Sequence, residues 1–469
     1  MRDSWGQALI TIIHDTVIVT GDDNDTVHYG ASIAVDGKTI AAIGPDADLQ
    51  ARYPSADRIN GRGKMVMPGF ANTHTHLTMT LARGVFEDLS PPHKPPFSGG
   101  LSPIPLPAMT ADERRVMAQL GALECLRSGV TFMLEDSNDI DDYAETLGKS
   151  GLRFLFGERA YDRVGTSIGD PAPYQRDRAL GQKHMETIEK TFAKWNGQAD
   201  GRIRVALSAW APDMCSPELL KDLSALQKKL GTWMTIHLNQ IWGEVAAVQA
   251  HRNRLPTEYL ADLGFLNEKV ICAHCRCMDP REEKLLGDAK VIVAFNAAIA
   301  ARRGLSPRIE SLESQGCTIT MGSDNMAEDM VEVMRTGMFM ERIRREDGRR
   351  PSPEQALRWA SRNGYKAFGM PDGGWLAAGN KADLIMIDTQ RAHLVPMLRA
   401  VSNFVHNGQA RDVDSVMVDG QWLMRDGEVL TMDEPAILAA AQEVANRAWS
   451  HQFKASFKPP AGFSPKALP

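Results

Sequence analysis

The 469-residue sequence predicts an α/β fold: a (β/α)8 barrel of the TIM type, with a small β-sandwich domain built from both chain ends. Three observations carry that expectation. Eight short β-branched or apolar runs alternate with helix-like segments through the middle of the chain. Asp-Gly hairpin signals are confined to the two ends. Several of the central runs close on a histidine or an aspartate, as they would if their carboxyl ends shared one barrel mouth.

Taken in order, residues 1–67 form the first part of the small β-domain, with TVIVTG and ASIAVDGKTIAAIG joined by DG and GPD turns. Residues 68–378 form the barrel. Its strand runs are MVMPGFANTHTH (which begins just ahead of the barrel), GVTFMLEDS, LRFLFGERAYD, IRVALSAWAP, WMTIHLNQ, KVICAHC, KVIVAFN and CTITMGSD. Between them lie helical patterns such as ADERRVMAQLGALECLRSG, SPELLKDLSALQKKLG and EDMVEVMRTGMFMERIRRE. Residues 379–430 return to strand patterning with KADLIMID and DSVMVDGQWLMRDGEVL. Because these segments bracket the barrel, both ends are expected to meet in one domain. In residues 431–469 a helix from about Glu434 to Phe453 precedes a Pro-, Lys- and Phe-containing tail, expected to lie over a surface or a partner. Residues 89–107, LSPPHKPPFSGGLSPIPLP, fit no regular element and form a candidate lid just downstream of the first barrel strand.

Composition narrows the function. The net charge is −6, there is no basic block, and aromatics make up 7% of the chain, so a nucleic-acid partner is not expected. The N-terminal ALITIIHDTVIVT carries His14 and Asp15 and has no cationic lead or small-residue cleavage site, so it reads as a strand. No apolar run approaches membrane-spanning length, and a cytoplasmic protein without membrane partners is expected. The six cysteines have no disulfide-framework spacing. CAHCRC hints at a zinc cluster, but strand alternation puts Cys272 and His274 on one face and Cys275 and Cys277 on the other, which reads as ordinary buried thiols. Exposed apolar helix faces such as MVEVMRTGMFM suggest a homo-oligomer.

The chemistry sits at the strand ends: His74 and His76 on the first, His237 on the fifth, His274 on the sixth and Asp324 on the eighth. His74 and His76, two apart, share one strand face. Imidazoles and a carboxylate gathered around one axis suit one divalent metal, with zinc ahead of iron or cobalt. Such an ion lowers the pKa of bound water from about 16 to about 7, making hydroxide available at neutral pH.

These motifs resemble the amidohydrolase superfamily, in the branch of the nucleoside and guanine deaminases and the s-triazine hydrolases. PGFANTHTHLTMTLARG is similar to that branch's first-strand signature. LGALECLRSGVTFMLE, HLNQIWGEV, AHCRCMD, GSDNM and AAGNKADLIMID follow in family order, from about residue 10 to 450. The resemblance implies that His74, His76, His237 and Asp324 bind the metal. It implies that His274 orients water or a polarised oxygen, and that Asp324 doubles as the base. No lysine ends the fourth strand, ALSAWAP, where binuclear relatives carry a bridging one, so a mononuclear site is expected.

The departures from the family shape the substrate expectation. Deaminases of the branch read His-x-x-Glu on the fifth strand, whereas this chain reads HLNQ, with Asn239 and then Gln240 at the glutamate's place. An amide cannot shuttle a proton. Glu244 is a possible stand-in, with a solvated surface carboxylate as its other reading. The family's His-Asn-Pro on the seventh strand becomes Phe295-Asn296-Ala297, and Trp210 replaces a histidine on the fourth. Gln240, Asn239, Trp210 and Phe295, with Phe86 nearby, are then the expected substrate contacts in an apolar pocket. The reaction expected first is hydrolysis of an acyl C–N bond in an apolar amide, urea, carbamate or thiocarbamate, such as a phenylurea xenobiotic. The alternatives are an aminohydrolase or chlorohydrolase acting on a purine or s-triazine ring, and a barrel that has lost catalysis and serves as a scaffold. Glu135, Glu158 and Arg159 also end strands at the mouth, where an ion pair among them is expected first and substrate binding by one of them is the alternative.

Overall fold

The computed structural model describes residues 10–87 and 105–453. Most of the expected lid and the tail after the last helix lie outside the described residues. The barrel is eight parallel strands in sequence order: Phe70–Thr75, Val130–Ser137, Arg153–Ala160, Ile203–Ala209, Met234–Leu238, Val270–His274, Ile292–Phe295 and Thr318–Met321. Each is buried on both faces, which is why the runs read as continuously apolar rather than alternating.

Local chemistry sets the helices between them. Thr110 and Glu113 form a capping box that starts Ala111–Arg127, Ser216 caps Pro217–Leu230 with proline in its first turn, and Asp329 caps Met330–Arg345. The bottom of the barrel is filled by Ala71, Phe132, Leu134, Leu155, Ala206, Ile271, Ile292 and Ala294 with Tyr365 and Phe368. These side chains also identify which strand positions face the axis.

The barrel closes between its first and last strands through the residues that carry the chemistry. Asp324 N–H donates to the His74 carbonyl (2.9 Å), and His76 N–H donates to the Asp324 carbonyl (2.7 Å). Lower on the same seam, Thr73 and Thr320 share a hydroxyl hydrogen bond of 2.7 Å.

The chain ends form one mixed nine-stranded sheet. In its N-terminal strand, Thr11–Val19, the register shifts around Asp15, which has φ of +58°. The bulge divides the strand: Thr11–His14 pairs with Asp57–Asn60, while Val17 and Ile18 pair with Lys64–Pro68. Ile13, Ile18, Ile33, Val66, Leu384, Met386 and Met417 from both chain ends share one core. The barrel is tied to this sheet by a buried ion cluster, in which Arg153 donates to both oxygens of Asp383 (2.6 and 3.0 Å) and also pairs with Asp419.

Candidate metal centre

The first strand turns both of its histidines to one place through a slip in register. Pairing with Val130–Ser137 shifts between Asn72 and Thr75. Both of those side chains reach Glu328 behind the strand (3.4 and 2.7 Å), leaving His74 and His76 to meet the histidines of other strands. The ring centroids of His76, His237 and His274 lie 4.7, 4.9 and 5.3 Å from that of His74. Strand alternation alone would send His274 outward with Cys272. A φ of +80° at His274 and +49° at Cys275 ends the strand and brings the ring to the group. Asp324 also has positive φ, +75°. Such backbone strain in non-glycine residues persists where the surroundings over-determine it, and it concentrates at functional sites.

Hydrogen bonds set the tautomers of two of these histidines. His76 Nδ1 donates to the Asp136 carbonyl (2.6 Å) and His237 Nδ1 donates to the Trp210 carbonyl (2.7 Å), so both Nε2 atoms carry lone pairs. Those two Nε2 atoms face one another at 3.1 Å, an arrangement that is repulsive unless a cation lies between them. His76 Nε2 is also 3.6 Å from Asp324 Oδ1. Both ring nitrogens of His74 and both carboxylate oxygens of Asp324 are buried without a hydrogen-bond partner among the described residues. Buried polar atoms are normally satisfied, and so many orphans converging on one point fit a divalent ion.

Burial holds the imidazoles neutral, as metal ligands require. It pushes His237 down to about 3 and lowers His74 and His76, with the neighbouring Arg159 adding to the depression at both. His274 Nδ1 is approached by Arg276 Nη2 (2.5 Å) and Asn296 Nδ2 (3.0 Å), both donors, so its proton resides on Nε2.

Several expected site residues lie elsewhere. Phe295 is fully buried on the outer face of its strand, packed toward the helix Met330–Arg345. A Cβ on Gly337 there would stand 3.0 Å from its ring. Inward positions on that strand are Ile292, Ala294 and then Asn296, so Asn296 is the residue at the mouth. Asn239 turns away as well: its amide donates to the Cys277 carbonyl (2.8 Å) and to Glu282 (3.1 Å), and its oxygen accepts from Thr257. Phe86 packs on Trp449 of the C-terminal helix, at 6.0 Å between centroids. Gln240 is 2% exposed, with Oε1 unpartnered among the described residues, and Trp210 is half-buried beside His237 and Arg159. Glu244 is fully buried and not a surface carboxylate. It accepts the backbone N–H groups of Asn239 (2.8 Å) and Gln240 (2.7 Å), fixing the loop that follows His237.

The expected ion pair among Glu135, Glu158 and Arg159 does not form. Glu135 accepts from Leu77 N–H and the Tyr143 hydroxyl, and Glu158 accepts from the N–H groups of Asp139 and Ile140. Arg159 instead pairs with Asp136 at 3.2 Å, a residue that the reading of strand ends overlooked. Asp136 is fully buried, accepts from Ser208 (2.7 Å), and groups with His74, His76 and His237. Burial works against its charge, but the Arg159 guanidinium keeps its carboxyl below the usual range. The sequence contained the signal. Phe132 and Leu134 face the barrel interior, so alternation points Asp136 inward and Glu135 outward. All six cysteines are free and buried, and none joins a candidate metal group among the described residues.

A parallel barrel whose mouth holds histidines and an aspartate around unsatisfied donor atoms defines a metal-dependent hydrolase. Comparison with known proteins makes the class specific. Residues 65–423 match the model of the amidohydrolase family, and residues 33–56 match an imidazolonepropionase-like composite domain of bacteria. The chain is 31% identical over 396 residues to a 5'-deoxyadenosine deaminase of Methanothermobacter thermautotrophicus, covering 82% of this chain and 88% of that one. It is 30% identical over 451 residues to a 5-methylthioadenosine/S-adenosylhomocysteine deaminase of Pelotomaculum thermopropionicum, with coverage of 93% and 98%. Among solved structures, a zinc-bound adenosine deaminase from Xanthomonas campestris superposes with a TM-score of 0.82 at 21% identity, covering 95% of this chain and 99% of that one. A zinc complex of an atrazine chlorohydrolase from Arthrobacter aurescens gives 0.80 at 20%, with coverage of 93% and 100%, and shares the fold. The protein belongs to the amidohydrolase family and is a hydrolase of carbon–nitrogen bonds.

Proposed function

We propose that this protein is a metal-dependent aminohydrolase that exchanges an exocyclic amino group of a heteroaromatic ring, of the aminopurine kind, for oxygen. The observation that carries the reading is the convergence of the partnerless buried atoms of His74 and Asp324 with the facing Nε2 atoms of His76 and His237, with His274 beside them. The deaminase relatives support ring chemistry better than the acyl C–N hydrolysis expected from Gln240.

His74, His76, His237 and Asp324 would hold one divalent ion, with zinc the first choice. When bound, the ion supplies Lewis acidity that makes water nucleophilic at neutral pH. The remaining work falls to the chain. Asp324 takes one proton from the attacking water and returns it to the departing amine, so ring–NH2 and water become the oxygenated ring and ammonia. His274, with Nδ1 occupied by Arg276 and Asn296, offers its Nε2–H to the incoming oxygen. Gln240 holds the ring by hydrogen bonding and transfers no proton. Trp210 supplies a flat wall.

The test is to incubate metal-loaded protein with aminopurine nucleosides, s-triazines, phenylureas and thiocarbamates, following ammonia, chloride and amine release. Ammonia from a ring amine supports the proposal, whereas amine release from a urea without any ring deamination restores the acyl reading. Metal content far below one ion per chain, with no gain on supplementation, would favour the scaffold.

A further inference from the structure

The last helix, Glu434–Phe453, belongs neither to the barrel strands nor to the sheet of the chain ends, and the chemistry above leaves it unused. Its direction follows from two ion pairs. A barrel helix runs from the mouth back to the base after its strand, so Ala111–Arg127 starts at the mouth. Arg127 at the base pairs with Glu434, and Glu113 near the mouth pairs with Arg447. The last helix therefore runs antiparallel to Ala111–Arg127 and delivers Trp449 to the mouth.

There Trp449, 4% exposed, meets the segment that follows the paired histidines. Its indole Nε1–H donates to the Leu81 carbonyl (2.6 Å), and its ring stands edge-on to Phe86. Leu81 lies in the short 3-10 helix Leu77–Ala82, which begins directly after His76. The last carbonyls of a helix have no partner within it, and the indole supplies one for Leu81. At the start of this turn, Met79 N–H donates to the His76 carbonyl (2.8 Å). Just past its end, Arg83 donates through Nε to the carbonyl of Met326, two residues beyond Asp324. Met326 has φ of +69° and shares a core with Leu81, Ala82, Phe86, Val444, Ala448 and Trp449. One turn thus joins Trp449 to the backbone at His76 and beside Asp324. Close-packed interiors transmit displacement, and a metal site works only while its ligands stay within about half an ångström of the coordinating geometry.

We propose that Trp449 is a positioning residue for the metal centre: through the turn Leu77–Ala82, the C-terminal helix holds His76 and Asp324 in place to share one ion. Phe86, expected against the substrate, serves this brace instead. The inference rests on the metal-dependent reading for its effect on the ion, while the contact of indole and turn stands without it. A helix that only covered apolar surface would behave differently, because weakening its docking anywhere along its length would have the same result.

The test uses full-length protein, zinc and three variants. Trp449→Phe keeps an aromatic ring and removes the donor, and Trp449→Leu removes both. Ile437→Ala weakens the docking of the same helix at a buried position about 18 Å away, at about 1.5 Å per residue. Zinc affinity is read by competition with a chromogenic chelator, and amide deuterium exchange is followed across Leu77–Arg83. Trp449→Leu should weaken zinc binding about tenfold or more, with Trp449→Phe in between, and both should speed exchange in the turn. Ile437→Ala should lower the melting temperature while leaving zinc affinity within about twofold of the parent, as for distant sites. Unchanged zinc affinity in folded Trp449→Leu overturns the proposal, as does equal weakening in Ile437→Ala. If Trp449→Leu does not fold, Trp449→Phe decides by the same two criteria. If the unmutated protein takes up no zinc, iron or cobalt, the metal reading itself fails, and exchange alone decides the brace. A faster turn in Trp449→Phe but not in Ile437→Ala then supports it, and equal rates refute it.

Discussion

Asp136→Asn perturbs a carboxylate that stands directly against two of the expected metal ligands. Asp136 stands 3.2 Å from Arg159 through one oxygen and 3.7 Å from His237 Nδ1 through the other, while its backbone carbonyl orients His76. At an effective dielectric constant of about 20, the attraction across 3.2 Å is about 5 kcal/mol. Breaking a buried pair on one side costs about 3–5 kcal/mol, because the surviving charge is stranded. Arg159 keeps 14% of its side chain in solvent, so the lower end, about 3 kcal/mol, is expected. The stranded guanidinium also raises the positive potential at His76 and His237. Removing partners of this kind weakens metal affinity by about 10–100-fold, or about 1.4–2.7 kcal/mol. Denaturant unfolding of the metal-free protein reads the first quantity, and competition with a chromogenic chelator reads the second. Adding Arg159→Met to Asp136→Asn removes the stranded charge and should recover more than half of the stability. A single variant that unfolds within about 0.5 kcal/mol of the parent, and binds metal as tightly, would refute the reasoning.

Three further outcomes are expected. Gly322→Ala should cost about 1–3 kcal/mol and weaken metal retention, because a Cβ there would stand 2.6 Å from Asn296 Oδ1 and 2.7 Å from the His74 carbonyl; thermal melts and metal analysis of the purified variant check both. Glu328, pushed by burial up to about 8, is neutral when folded at neutral pH, so its contribution is full below the unfolded value near 4.5 and is lost as pH rises toward about 8. Glu328→Gln should therefore flatten the decline in urea midpoint between those two pH values, and a profile parallel to that of the parent would count against a neutral Glu328. Gln240→Glu should raise ammonia release from a ring amine by about tenfold or more, since a positioned general acid contributes ~10²–10⁴; an unchanged rate in a folded variant would mean that position 240 does not reach the ring.

How much of the site was legible depended on whether strand alternation held. Where it holds, the pattern already separates inward from outward residues, and Asp136 and Asn296 are readable by counting from Leu134 and Ala294. Phe295 was misassigned to the pocket because its place in a motif outweighed its parity on the strand. Where alternation breaks, counting fails. The slip between Asn72 and Thr75 and the positive φ at His274 are tertiary accommodations, and they decide that His74 and His274 reach the same point. Asn239 and Glu244 illustrate a second limit. Polar residues after a strand look like substrate contacts or solvated charges, and only the packed helices beside them reveal that both are consumed in holding a turn.

The order of runs, caps and hairpin signals was sufficient for the barrel, for the small domain drawn from both chain ends, and for the five strand-end residues, because each of these follows from periodicity and local backbone chemistry. Which charges lack partners was left to the tertiary structure. The pairing of Arg159 with Asp136, and the approach of Arg276 to Asp324, depend on distances between strands and loops far apart along the chain. Electrostatic balance in a buried space is a sum over all neighbours, and no local stretch of sequence contains that sum.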